Sequence, residues 1–297
     1  MLIFLVPSWD RSVSRHLRLM SLGLLLAALF SKPKKIKFRV QTRVFKSLVP
    51  SEDDPCIVYH GITDRNRLGE QINYKISPLK GFFTFDPQGY SGFGMQPKER
   101  ARWLEISDGD VKKRALFLKK RNFGGKYERI TKNLENREVP PGLILVEQLD
   151  DDQVSSLRLV SDVEMEKIAQ NYAAAHNLTV AWRRHPFGGR HRDRNYNGCS
   201  LDSAIKSGSI FFTHNSGLAA EVMIKGGTVI FFAPNEFVGK SFVFRQSDLT
   251  QTIEELLNPD FRQKQLEEFD FYLGALVRWH EFFMLTNIIK KFERNSP

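Results

Sequence analysis

The sequence predicts an α/β protein whose strands run parallel and are joined by helices. Three observations carry that reading. Between residues 143 and 232, short apolar runs alternate with helix-forming stretches at the spacing of strand–helix–strand units. Two polar clusters, Arg183-Arg184-His185-Pro186 and Thr213-His214-Asn215-Ser216-Gly217, directly follow two of those runs. Gly226-Gly227 stops a helix where the next strand must begin.

The elements follow in order. Leu2-Ile3-Phe4-Leu5-Val6 reads as a first strand. An apolar run, Leu19 to Phe30, comes next, with Arg11, Arg15 and Arg18 before it and Lys32, Lys34 and Lys35 after it. It resembles the first two parts of a signal peptide but lacks a small-x-small cleavage site. It also falls short of the roughly 20 residues that span a bilayer. The expectation is a buried or membrane-surface helix of the domain, with an export or anchor signal as the alternative. Cys56 to His60, before Gly61, reads as a strand entering a loop. Lys80 to Pro97 is rich in Gly, Phe and Pro, and is either a substrate loop lined by aromatics or a long surface connection. Arg102-Trp103-Leu104-Glu105-Ile106 is expected to be a strand ending at Asp108-Gly109-Asp110. The basic run from Lys112 to Lys126 is a solvated or polyanion-facing surface.

Pro140-Pro141-Gly142 reads as a hinge and divides the chain into domains 1–140 and 141–297. Beyond it, Leu143 to Val146 is a strand. Ser161, with Glu164 three residues on, opens a helix through a capping box, and Ile168, Tyr172 and Ala175 form its apolar stripe. The expected order continues with a strand at Leu178–Trp182, a helix at Leu201–Ile205 and a strand at Ile210–Phe212. A helix at Leu218–Lys225 and a strand at Thr228–Phe232 follow. A helix around Ile253–Leu257 and a long one from Phe261 to Phe292 close the chain.

Composition narrows the function. With 41% hydrophobic and 26% charged residues, the chain is globular, and its 297 residues make one large domain or two of ordinary size. A net charge of +10 favours polyanions, phosphorylated small molecules or an acidic membrane surface, and is equally met by a solvated basic surface. No aromatic-basic motif supports nucleic-acid binding. Two cysteines, Cys56 and Cys199, without a CxxC spacing do not indicate a disulfide framework and suit a reducing compartment. Neither a Walker loop nor a zinc signature is present.

The candidate chemistry sits at the polar clusters. Pro186 biases His185 toward an extended backbone, which frees its imidazole to face a cleft and donate to a phosphate or carboxylate. Arg183 or Arg184 supplies charge beside it. Ser216 is a helix cap, and the N–H groups of Gly217 and Leu218 face whatever approaches the helix start. Glu221 either accepts from ribose hydroxyls or complements the positive helix end. Gln148 and Asp150-Asp151-Asp152 follow the Leu143–Val146 strand. That triplet has the oxygen chemistry of a divalent-ion site, but a polar loop explains it as well, and neither a metal nor a cofactor is favoured. His191-Arg192-Asp193-Arg194 is a charged loop. In the amino-terminal half, Glu105, Asp108, Asp110 and His60 are candidates for a general base, with Glu105 and Asp108 preferred.

Taken together, several segments resemble the carboxyl-terminal half of the bacterial capsule polysaccharide biosynthesis family, whose members include Kdo transferases. They are Ile144-Leu145-Val146-Glu147-Gln148 with Asp152, Arg184-His185-Pro186, Thr213 to Glu221, and Gly226-Gly227-Thr228-Val229-Ile230. The family pattern runs strand–Gln–Asp, Lys-His-Pro, Asn-Ser-(Thr)-x-x-x-Glu-Ala and Gly-Lys-Pro-Val. This sequence departs from it at Gly217, at Ala220 before Glu221, and at Gly227-Thr228. The resemblance implies a GT-B-like architecture, with two Rossmann-like lobes around a cleft. Residues 1–140 would form the acceptor side and residues 141–297 the nucleotide-sugar side.

The activity so implied is glycosyl transfer in capsular or lipopolysaccharide synthesis, with CMP-Kdo as the expected nucleotide-sugar donor and a glycan or glycolipid as acceptor. His185 and Ser216 would meet the CMP phosphate and Glu221 the ribose or base. Gln148, Arg184, Pro186, Asn215 and Gly217 complete the donor set, and His185 also counts among the catalytic candidates. A cytoplasmic protein is expected, peripheral at the inner face of the membrane. The rivals are a teichoic-acid-type polyol-phosphate transferase using a CDP-linked donor and a non-catalytic binding subunit of a glycan assembly complex.

Overall fold

The computed structural model describes residues 2–7, 15–31, 36–41, 56–59, 71–121, 138–149, 153–185, 198–245 and 253–294. In chain order the elements of the amino-terminal part are β1 (Leu2–Pro7), α1 (Arg15–Ser31), β2 (Ile36–Gln41), β3 (Cys56–Tyr59), β4 (Gln71–Ile76), β5 (Phe83–Asp86), α2 (Pro97–Trp103) and α3 (Asp108–Lys120). They continue with β6 (Gly142–Val146), α4 (Asp162–His176), β7 (Thr179–Arg183), α5 (Leu201–Lys206), β8 (Ile210–Thr213), α6 (Leu218–Ile224) and β9 (Thr228–Phe231). The chain closes with α7 (Ile253–Leu257), α8 (Pro259–Gly274) and α9 (Phe282–Arg294). It forms two compact units, residues 1–114 with 271–297, and residues 115–270.

The first unit holds a sheet of order β2-β1-β3-β4-β5, parallel except for β5. The apolar run after β1 is the first crossover helix, α1. Met20, Leu24 and Ala27 on one of its faces are buried with Ile57, Tyr74, Leu285, Ile288 and Ile289. A β-carbon at Gly23 would overlap the carbonyl oxygen of Trp279, so glycine lets this helix approach the segment before α9. Among the described residues no helix is long and apolar enough to cross a membrane.

The Gly/Phe/Pro-rich segment is folded around one carboxylate. Asp86 Oδ1 accepts the N–H groups of Gln88 (2.8 Å) and Gly89 (3.3 Å). Its Oδ2 accepts Met95 N–H (2.7 Å) and Arg100 Nε (3.0 Å). Arg100 Nη2 also donates to the Met95 carbonyl at 3.1 Å. A β-carbon at Gly94 would lie 2.6 Å from Asp86 Oδ2, which is why glycine stands there. Phe82, Phe83, Phe85 and Tyr90 are buried rather than lining an open groove.

Two sequence expectations in this unit are corrected. Arg102–Ile106 is not a strand. Pro97 starts α2, where its missing N–H costs nothing, and the Glu99 carboxylate accepts the Gln96 N–H at 3.3 Å. Leu104 and Glu105 then form a turn, with Glu105 at φ +59°. Ser107 Oγ accepts the Asp110 N–H at 3.2 Å to open α3. The expected long closing helix is broken in two. Gly274 ends α8, where a β-carbon would come within 2.8 Å of Val111 Cα. Val277 then pairs with Phe83 through hydrogen bonds of 2.9 and 2.8 Å, adding an antiparallel edge to β5. Arg114 secures the break by donating to the Gly274 carbonyl (2.8 Å) and to Glu281 (2.7 Å).

The second unit is a fully parallel sheet of order β7-β6-β8-β9. Its interior strands are unbroken apolar runs, as a sheet covered on both faces requires. Leu143, Leu145, Trp182, Phe212, Ile230 and Phe232 centre its core. The capping box at α4 is present: Ser161 Oγ accepts Glu164 N–H (3.2 Å) and the Glu164 carboxylate accepts Ser161 N–H (2.7 Å). The buried stripe of α4 is Met165, Ala169 and Ala173 with Ile168 and Tyr172 beside it, while Ala175 is exposed. Asn177, in the left-handed region at φ 53°, ends the helix.

Asp86→Ala leaves the buried Arg100 guanidinium unpaired and is expected to cost about 3–5 kcal/mol in denaturant unfolding. Lys113→Ala, which removes the exposed pair with Asp110, should cost under about 1 kcal/mol. The hydrogen bonds from Ser161 hold the Glu164 carboxyl below its ordinary value. The capping contribution is therefore present above the carboxylate range and is lost as pH falls through the Glu164 pKa. Ser161→Ala should flatten that acid limb in melts recorded against pH and raise the Glu164 pKa measured by NMR.

Candidate functional site

In the second unit the chain leaves β6 for β7 on one side and returns to β8 on the other. The two connections diverge at the carboxyl ends of β6 and β8. This is the topological switch point, where open parallel sheets take their ligands.

Gln148 follows β6 and Asn215 follows β8, and their side chains meet there. Gln148 Nε2 donates to Asn215 Oδ1 at 2.7 Å, and Asn215 N–H donates back to Gln148 Oε1 at 3.1 Å. Asn215 Nδ2 donates to the Val154 carbonyl at 3.2 Å. Asn215 is buried, and these bonds commit its amide to the protein. Asn215 thus shapes the site with its amide committed, whereas half-buried Gln148 braces it with one of its two Nε2 hydrogens.

The next residues are held in the same way. Ser216 N–H donates to Thr213 Oγ1 (3.2 Å), and Ser216 Oγ accepts Leu218 N–H (3.3 Å) at the start of α6. The Ser216 hydroxyl keeps its hydrogen to donate. Gly217 takes the capping position without a side-chain contribution. His214 is buried, with Nε2 3.0 Å from Asp162 Oδ1, and Arg158 Nη1 lies 3.7 Å from the same oxygen.

At β7 the structure separates the two arginines that sequence left as alternatives. Arg183 is buried and donates to the Cys199 carbonyl at 3.2 Å, while Arg184 is exposed. Burial lowers the Arg183 pKa, against which the fields of Cys199 and Glu221 favour the charged form. Glu221, in the first turn of α6, therefore lies within electrostatic reach of Arg183. His185 is half-buried, and its N–H donates to Glu147 Oε2 at 2.9 Å. Glu147 is a residue that sequence reasoning quoted but gave no role. Its signal was position alone, a carboxylate between an apolar strand and Gln148.

The edge therefore gathers Gln148, Asn215, Ser216 and Gly217 at the switch point, with Arg183 and Glu221 in mutual reach and His185 fixed through Glu147. Pro186, Asp150-Asp151-Asp152, His60 and the loop from His191 to Arg194 lie outside the described residues. Glu105 and Asp108 belong to the first unit and do not stand at strand ends. Both are exposed, Glu105 in the turn before α3 and paired with Lys291 (3.1 Å), Asp108 in the first turn of α3. Among the described residues no three His, Cys, Asp or Glu side chains form a group that could hold a metal ion.

Gln148→Ala strips two partners from Asn215. The expected cost is about 1–3 kcal/mol in denaturant unfolding, the penalty of unsatisfied buried polar atoms. Hydrogen exchange at the Asn215 amide should accelerate while exchange in the β7 amides is unchanged.

No family model matches the sequence, and no curated protein is similar to it at a significant level. Solved structures are similar. The KpsC β-Kdo 2,7 transferase of Thermosulfurimonas dismutans superposes with a TM-score of 0.52 at 11% identity, covering 97% of this chain and 99% of that one. The KpsC β-Kdo 2,4 transferase of the same organism gives a TM-score of 0.44 at 12% identity, over 91% and 89% of the two chains. The capsule-family resemblance carried by the motifs of residues 143–235 is thus matched by a likeness of fold to a Kdo transferase along nearly the whole chain.

Proposed function

We propose that this protein is a glycosyltransferase of bacterial surface polysaccharide synthesis, and that the carboxyl edge of the β7-β6-β8-β9 sheet holds the nucleotide of its activated sugar. The observation that carries the reading is a coincidence of place. The residues the capsule-family motifs single out converge on the switch point of the sheet. The fold likeness to a Kdo transferase supports transfer as the reaction class. It also supports a GT-B-like arrangement, with the donor in the second unit and the acceptor in the first.

In this reading Gln148 and Asn215 set the turn that carries Ser216. The Ser216 hydroxyl and the His185 ring donate to the donor phosphate, and Arg183 and Arg184 supply positive charge. As the sugar departs, charge grows on the nucleotide phosphate. Donors already fixed in place stabilise that charge without reorganising. Glu221 takes the ribose or the base. The donor proposed is CMP-Kdo. Of the two preferred carboxylates, Asp108 is proposed as the base on the acceptor hydroxyl, because Glu105 is engaged by Lys291.

Calorimetry with CMP, CDP, UDP and ADP tests the site. CMP is expected to bind, with affinity falling about tenfold or more in His185→Ala and in Ser216→Ala. A preference for CDP would move the reading to a polyol-phosphate transferase. Binding of none of the four would overturn the nucleotide-sugar proposal.

A further inference from the structure

We propose that the outer face of α3 docks the protein on an anionic lipid bilayer. The inner face of this helix is ordinary core. Val111, Ala115 and Leu118 recur at helical spacing and are buried. The opposite face is not an ordinary solvated surface. Leu116 is 53% exposed and Phe117 44% exposed, side by side among lysines. At 3.6 residues per turn, Lys112, Leu116 and Lys120 share one line along the helix, with Lys113 and Phe117 on the next. Arg121 places its guanidinium over the Phe117 ring, 4.5 Å from the centroid.

The charges are arranged to suit an anion outside the protein. Acidic residues in α3 are confined to its first turn, as Asp108 and Asp110. Asp110 lies 3.8 Å from Lys113, and Lys119 pairs with Asp270. Lys112 and Lys120 have no ion pair among the described residues. A soluble polyanion would engage these lysines but gain nothing from Leu116. A bilayer surface satisfies both, because hydrocarbon lies just beneath its phosphates and long lysine side chains reach outward to them. The net charge of +10 draws the whole molecule toward the same surface. With two apolar anchors and a few cations, attachment is reversible and depends on anionic lipid.

The inference does not rest on the donor site. Cosedimentation of the full chain with phosphatidylcholine vesicles, with and without about one third phosphatidylglycerol, reads it directly. The parent protein is expected to bind only the anionic vesicles. Leu116→Ser with Phe117→Ser, and separately Lys112→Gln with Lys120→Gln, should each weaken that binding about tenfold or more. CMP affinity and the thermal midpoint should stay unchanged in both, which separates this result from failure of the nucleotide reading. Three outcomes overturn the proposal. They are binding to neither vesicle, equal binding to both, and equal binding of the parent and the Leu116/Phe117 variant to anionic vesicles. In the last case, competition by soluble heparin would identify the face as a charge-only polyanion surface.

Discussion

A parallel sheet leaves the carboxyl ends of its strands untied, because each chain departs into a helix instead of turning back as a hairpin. At a switch point the departures diverge, and a crevice opens that only side chains can brace. Here the brace is the pair of hydrogen bonds exchanged by Gln148 and Asn215. Because Asn215 is buried, each of these bonds replaces one to water and would be costly to leave unmade. Once Asn215 is fixed, the turn through Ser216 is fixed as well. α6 begins at that turn, so the position of Glu221 follows from the amide pair that fixes it.

The two units handle buried charge differently. In the first, Asp86 and Arg100 are almost wholly enclosed, and the hydrogen bonds of the carboxylate go to the backbone around it and to the guanidinium. Such a group holds its surrounding loop in one conformation. In the second, the buried Arg183 guanidinium donates to the Cys199 carbonyl and stands in the fields of Cys199 and Glu221, which oppose the effect of its burial. This asymmetry, more than net charge, distinguishes the edge of the second sheet from the interior of the first.

The legible and illegible parts of the fold differ by the range of the interactions that decide them. The strands β6 to β9 and the helices between them were readable because each signal is local: buried apolar runs, the Ser161–Glu164 box, and Gly226 in the left-handed region at φ +80°. Arg102 to Ile106 reads as a strand from its apolar Trp103, Leu104 and Ile106, but the cap at Gln96 and Pro97 starts a helix that runs to Trp103. The break after Gly274 was hidden because it depends on Arg114, 160 positions earlier, and on pairing with Phe83. In the candidate site the order of the motifs was legible, whereas the partner of Asn215 stands 67 positions away. The place of Pro186 is not among the described residues.

The neighbours of His185 show why adjacent residues of one type take different parts. In an ideal strand, Trp182 and Arg183 would point to opposite faces, and in a sheet covered on both sides each is buried. Arg183 is therefore a fixed charge, set by the strand. Arg184 comes one residue beyond the strand and is exposed, so its charge is screened by water. Between this pair and the ring of His185, the backbone is anchored twice by Glu147. Its N–H donates to the Arg183 carbonyl at 3.0 Å, and its carboxylate accepts the His185 N–H. A carboxylate so engaged fixes the backbone of His185. The edge thus holds a negative residue, Glu147, buried in its wall beside the buried Arg183.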